Sequence, residues 1–232
     1  MLLFNQFCKD FFHLIFPDLC NACGTTLFEG EKQICIRCRH DLPYTDFHLH
    51  PNNTVARLFW GRMPCHAAMA LLYFRKGSKV QNLIHSLKYK DQTELGFVLG
   101  DLMGEKLKQS SLYAGADLII PVPLHPKKER SRGYNQAKYI ADGIGAVLQL
   151  PVDTISLIKS TATGTQTKKN RYHRFENMQS IFKVSDRACL AGKHIILVDD
   201  VITTGATLES CGQVLLANGA GKISIVAAAF AE

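Results

Sequence analysis

Residues 194–211 read HIILVDDVITTGATLESC. An apolar run ends in two adjacent carboxylates, Asp199 and Asp200, and passes into a hydroxyl-rich loop, Thr203, Thr204, Gly205, Ala206 and Thr207. Ile195 to Val198 has the continuous apolar character of a strand buried on both faces, and Leu208, Cys211 and Leu215 recur at helical spacing beyond the loop. A loop that runs straight into a helix N-terminus presents unpaired amides and a partial positive charge. Gly205 lets the backbone approach a ligand, and the three threonine hydroxyls can donate to phosphate oxygens, so a phosphate monoester fits without any lysine. The acids would repel that phosphate and must serve another part of the ligand. Neighbouring residues on an extended chain point in different directions, so one acid can reach the ligand while the scaffold holds the other. Carboxylates accept from sugar hydroxyls and hold Mg²⁺ directly or through water. A ribose 5-phosphate unit satisfies both halves; the plainer alternative is a helix N-cap with spare charge. The chain has neither a G-x-x-x-x-G-K-[ST] loop nor a G-x-G-x-x-G turn that opens a helix after a strand.

The flanking sequence carries the same texture. From Asp117 onward, DLIIPV, DTISLI, SIFKV, HIILV and KISIVAAAF are short apolar runs, and helices are expected at 135–148 and 207–217. Ala67 to Phe74 reads as a further buried strand, and VQNLIHSLKY and LGFVLGDLMGEKL as amphipathic helices. Such alternation predicts an α/β fold with a mainly parallel sheet flanked by helices. Basic residues cluster in PLHPKKERSRGYNQAK and TQTKKNRYHRFENM, each after a predicted strand, and sheets of this type bind ligands at the carboxyl ends of their strands.

Four of the eight cysteines stand as CNAC (Cys20, Cys23) and CIRC (Cys35, Cys38), eleven residues apart. Two such knuckles close a tetrahedral thiolate site suited to structural zinc, with no open position for chemistry. His40 is a less favoured ligand, and Cys65 with His66 reads as a thiol beside an unrelated imidazole. Cys8, Cys189 and Cys211 fit apolar patterns. The division expected is a zinc-binding module with an N-terminal helix at 1–55 and an α/β domain at 56–232. DLPYTDFHLHPNNT reads as a connector, with His48 and His50 as exposed loop histidines.

With 47% hydrophobic and 20% charged residues, the 232-residue chain has a globular composition, neither disordered nor membrane-like. Its net charge of +7 leans toward anionic partners. Leu3, Phe7, Phe11 and Leu14 suggest an amphipathic helix that packs on its own domain or on a partner or membrane surface. Lys9, Asp10 and His13 interrupt this segment, so neither a signal peptide nor a stable membrane span is expected. A reducing cytoplasm follows, where the cysteines are not a disulfide framework.

VDDVITTGATL resembles the phosphoribosyl-pyrophosphate signature of type I phosphoribosyltransferases. The ordered set CNAC and CIRC, PVPLHPKKERSRGYNQA, TQTKKNRYHRFENM and this signature resembles the ComF family of competence-associated proteins over nearly the whole chain. The resemblance implies a type I phosphoribosyltransferase-like domain. In it Asp199 and Asp200 face the ribose hydroxyls, while Thr203, Thr204, Gly205, Ala206 and Thr207 cradle the 5-phosphate. Arg130 and Arg132 lie in the implied pyrophosphate loop, since a guanidinium can grip two phosphate oxygens. Residues 161–178, with Gln166, Lys168, Arg171 and Asn177, match the mobile loop that closes over the donor.

The implied ligand is Mg²⁺–phosphoribosyl pyrophosphate, with displacement at the anomeric carbon, an unnamed acceptor and no obvious general base. The implied setting is DNA uptake, with single-stranded DNA and competence-pathway proteins as partners. The alternative is a non-catalytic nucleic-acid handling or ligand-sensing protein. For it, Phe59 and Trp60 flanked by Arg57 and Arg62 form a stacking patch or else a core aromatic pair.

Overall fold

Strand β5 (His194–Ile202) occupies the middle of a parallel sheet, in a computed structural model that describes residues 17–89, 92–159, 181–185 and 190–231. The sheet order is β1-β6-β5-β2, with β1 at Ala67–Phe74, β2 at Leu118–Pro121 and β6 at Lys222–Ala231. Register is set by Leu118 opposite Ile195, Ile195 opposite Ile223 and Ala67 opposite Ser224. Because β5 and β6 each have a partner on both sides, their apolar runs are buried almost without a break, as the sequence pattern predicts.

Helices among the described residues are α1 (Ile36–Asp41), α2 (Thr54–Arg57), α3 (Lys79–Tyr89), α4 (Thr93–Lys108), α5 (Pro126–Arg132), α6 (Gln136–Leu148) and α7 (Ala206–Ala217). The Asn135 side chain caps α6 by accepting from Ala137 N–H at 3.1 Å, and its amide also donates to the Val122 carbonyl at 3.0 Å. Helices α4 and α6 cross with their backbones in contact. A Cβ on Gly100 would run into the Ile140 carbonyl oxygen, and one on Gly143 into that of Phe97. This closeness buries Leu99, Met103, Ile140 and Ile144 completely. No described helix is long and apolar enough to cross a membrane.

Three stretches depart from the pattern read in the sequence. DTISLI and SIFKV do not join the parallel sheet: Leu157–Lys159 (β3) and Phe182–Val184 (β4) form a separate antiparallel ribbon. The cause is Asp153, whose carboxylate accepts from the N–H groups of Ile155 at 2.8 Å and Ser156 at 2.9 Å and bends the chain, leaving only Val152 bridged to Ile119. The basic segment after β2 is not a loop but helix α5, capped by His125, begun by Pro126 and ended by Gly133 at φ 81°. The connector is pinned along the β1 edge. Tyr73 N–H donates to the Pro43 carbonyl at 2.9 Å, Thr45 N–H to that of Leu71 at 2.9 Å, and the Asn53 amide to that of Ala68 at 2.7 Å. That packing covers an edge strand and leaves His48 only 3% exposed rather than out in solvent, while His50 stays exposed beside Asp46 at 3.2 Å.

At the amino-terminal end of the sheet, the ring Nε2 of buried His194 shares a 2.8 Å hydrogen bond with the Ser224 hydroxyl, and its backbone N–H donates to the Asp117 carboxylate at 2.8 Å. Burial, reinforced by His66 and Lys222, holds the imidazole below its ordinary value of 6.5. The unfolded chain therefore takes up this proton first. The stability this confers is present above about pH 6.5 and lost as pH falls through the folded value. Calorimetric melting is expected to show the acid-side loss weakened in His194→Gln; an acid limb unchanged by the substitution would contradict this.

Candidate functional site

β5 continues past its apolar core, so Asp199, Val201 and Ile202 still pair with Ala227, Ala229 and Phe230 of β6. The two acids are thus fixed at the carboxyl end of the sheet, and the strand separates them. Asp199 lines a small cavity of about 50 Å³ together with Thr203, Thr204, Gly205, Ala206 and Thr207. Asp200 is instead ion-paired with Lys88 of α3, Oδ2 to Nζ at 2.9 Å. Asp199 Oδ1 accepts from the Asp200 N–H at 2.8 Å. Burial first, and the Asp200 charge second, push the Asp199 carboxyl up to about 7, against the pull of Lys88 and Lys159. A larger groove of about 400 Å³ between β4 and α7 lacks such a convergence of acids and helix amides.

The loop after β5 is braced from behind. Gly205, at the N-cap of α7 with φ 73°, presents no capping side chain, and the Ala206 N–H makes a long 3.5 Å hydrogen bond to the Thr204 hydroxyl, a contact that a ligand in the loop can replace. An added Cβ there would lie 3.0 Å from the Phe59 ring in a backbone conformation that side chains rarely adopt. Arg62 Nη1 donates to the carbonyls of Thr204 at 2.8 Å and Leu58 at 3.0 Å, while Nη2 is ion-paired with Glu209 in the first turn of α7. Gln213 closes the bracket by donating to the Arg62 carbonyl at 3.0 Å. The hydroxyl-bearing Thr203, Thr204 and Thr207 stay exposed.

Phe59 and Trp60 are not one patch or one core pair. Phe59 is fully buried behind the loop, whereas Trp60 is 60% exposed with the Arg57 guanidinium 5.8 Å from its ring centroid. Arg62 belongs to the loop brace, a role that sequence reasoning missed because its partners lie far along the chain.

Helix α5 carries the two candidate arginines differently. Arg130 is exposed and, among the described residues, donates to the Pro126 carbonyl at 3.4 Å. Arg132 lies 5.5 Å over the Tyr89 ring and donates to Gln136 Oε1 at 3.0 Å, beside the end of α3 that bears Lys88. Lys168 and Arg171, with Gln166, Asn177 and the rest of 161–178, lie outside the described residues. So do the N-terminal apolar segment, Cys8 and Cys189.

The sulfurs of Cys20, Cys23, Cys35 and Cys38 all lie within 4.8 Å of one another, a group that can hold a metal ion. Cys23 and Cys35 are 3.9 Å apart, close to the roughly 3.8 Å edge of a tetrahedron built on metal–sulfur bonds of about 2.3 Å. The N–H groups of Cys35 and Cys38 donate to Cys20 Sγ at 3.3 Å and Cys35 Sγ at 3.4 Å, supporting thiolate charge. The Thr25 hydroxyl and backbone hold the Cys23 thiol well below its usual range, at about 6. His40 points elsewhere and pairs with Asp41 at 3.2 Å. Cys65, far from this cluster, is pushed up to about 12 by burial, the state of an inert thiol.

Residues 131–231 match the phosphoribosyl transferase domain family. DNA utilization protein YhgH of Shigella flexneri is 28% identical over 211 residues, 89% of this chain and 88% of that protein. Competence protein F of Haemophilus influenzae is 25% identical over 228 residues, 94% and 93% of the two chains. Competence protein ComFC of Bacillus subtilis is 32% identical over 102 residues, 44% of this chain and 39% of its own. Among solved structures, the glutamine phosphoribosylpyrophosphate amidotransferase from B. subtilis complexed with ADP and GMP aligns at TM-score 0.45 and 20% identity over 62% of this chain, which spans 30% of that one. With a four-cysteine cluster ahead of a phosphoribosyltransferase-like sheet, and relatives named for competence and DNA utilization along most of its length, the chain is similar to the ComF family.

Proposed function

We propose that the chain binds Mg²⁺–phosphoribosyl pyrophosphate, or a related ribose 5-phosphate ligand, at the end of β5 and acts in DNA uptake, a reading supported by relatives named for DNA utilization and competence. The observation that supports this reading is the single cavity shared by Asp199 and the Thr203–Thr207 loop at the start of α7. In it, the threonine hydroxyls and first-turn amides hold the 5-phosphate. Asp199 accepts from the ribose hydroxyls, and Asp200 sets the local charge. Arg132 and Arg130 on α5, with Lys168 and Arg171, serve the diphosphate.

A carboxylate is a hard oxygen donor of the kind that suits a hydrated Mg²⁺, and Asp199, which lines the cavity, is the one in reach of a ligand-borne ion. A bound Mg²⁺ would supply charge neutralisation at the diphosphate. The chain's own part is to hold the ribose and its phosphate so that the anomeric carbon is presented in a fixed orientation. In the same reading, residues 1–55 form a module whose four cysteines hold a structural zinc, and 56–232 form the phosphoribosyltransferase-like domain.

A second reading, single-stranded nucleic-acid handling, is favoured by one feature: Trp60 stands 60% exposed beside Arg57, an aromatic surface with a cation against it.

Calorimetric titration is expected to show Mg²⁺-dependent binding of phosphoribosyl pyrophosphate that Asp199→Ala combined with Asp200→Ala abolishes; binding that survives this change would sink the assignment. A strong chelator is expected to release zinc and lower the melting temperature, while release of no metal would remove zinc from the picture. Single-stranded DNA should bind less tightly as salt rises, and Trp60→Ala should weaken it by about tenfold. Retention that is flat with salt, or unaffected by the substitution, would reject the second reading.

A further inference from the structure

The acid pair poses an electrostatic problem that its own strand does not solve. Two neighbouring carboxylates inside a fold disfavour each other's ionisation, and both would repel a ligand rich in phosphate. The described structure supplies a cation from α3: Lys88 Nζ lies 2.9 Å from Asp200 Oδ2, with the side chains only 23% and 14% exposed. Such a pair is screened little by solvent.

Lys88 is not a free surface side chain that happens to fall nearby. The turn that bears it is anchored by the Tyr134 hydroxyl, which donates to the Leu87 carbonyl at 2.6 Å, and by Arg132 over the Tyr89 ring. Another lysine that acts on Asp199, Lys159, rests its ammonium 4.9 Å from the Phe182 ring centroid. Asp200 is thus tied to α3, and Asp199 is the acid that lines the cavity.

We infer that Lys88 is a positioning residue: by taking Asp200 as its counter-ion it fixes that carboxylate in one orientation at the end of β5 and lowers the negative charge that a phosphorylated ligand meets. The inference rests on the ligand reading given above. Lys88 acts through Asp200 and does not touch the ligand, which separates it from Arg130 and Arg132.

The test is a double-mutant cycle on the dissociation constant of Mg²⁺–phosphoribosyl pyrophosphate, measured by calorimetry on the full chain, with the melting temperature of each variant recorded. Lys88→Met is expected to weaken binding by about tenfold or more, and Lys88→Arg to stay within about threefold of the starting protein. Whatever Asp200→Asn costs alone, Lys88→Met added to it should cost nothing further, because the charge it served is gone. Losses that add in the double variant would mean that Lys88 meets the ligand itself. An unchanged Lys88→Met would leave the ion pair without a role; either result overturns the inference. Should Lys88→Met not fold, the double variant compared with Asp200→Asn carries the test, equal affinity supporting the inference and weaker affinity overturning it. Absence of any binding by the unaltered chain is a different failure, which removes the ligand reading and the inference with it.

Discussion

Strand β5 has a parallel neighbour on each side, β6 and β2, and everything functional in the described fold hangs from that double pairing. A strand hydrogen-bonded along both edges cannot slip by a residue without turning its apolar set out of the core. Its end is therefore placed with the accuracy of the sheet. The ladder to β6 runs on through Asp199 to Ile202, which carries two charged residues into surroundings that punish charge. The site is thus a by-product of the core's rigidity: polar groups are held where a flexible loop would have let them escape to water.

Two features relieve the cost. Lys88 neutralises Asp200 from α3, and burial raises the Asp199 carboxyl above the ordinary carboxylate range, which favours its neutral form. The loop beyond is shaped from the other side, where Phe59 fills the space that any side chain on Gly205 would need and Arg62 gathers Thr204 and Glu209. Acids and loop are braced by different parts of the chain, α3 for one and the segment around α2 for the other.

What could be read from sequence was what is local in sequence. The order of strand, acid pair, threonine loop and helix lies within a single short stretch, and so do the cysteine knuckles, so spacing alone describes them. Lys88 and Arg62 were not legible in these roles, because each acts on a partner more than a hundred positions away and neither sits in a pattern. Helix α5 was hidden for another reason: none of its residues is buried, so it shows no apolar stripe to betray it. The runs around 153–158 misled because their apolar content suits a strand, while one aspartate turns the backbone aside. His48 was misjudged because a turn-rich connector looks solvated until it is laid against the edge of β1.

The placement of the aromatic pair has an optical consequence. Trp60 is the chain's single tryptophan, and the residue before it, Phe59, is the one that touches Gly205. A displacement of the threonine loop transmitted through Phe59 would alter the surroundings of an indole that faces water with a guanidinium nearby. The protein carries its own fluorophore one residue along from the ring that backs the threonine loop, so loop motion can be followed in the unlabelled chain by emission wavelength and quenching.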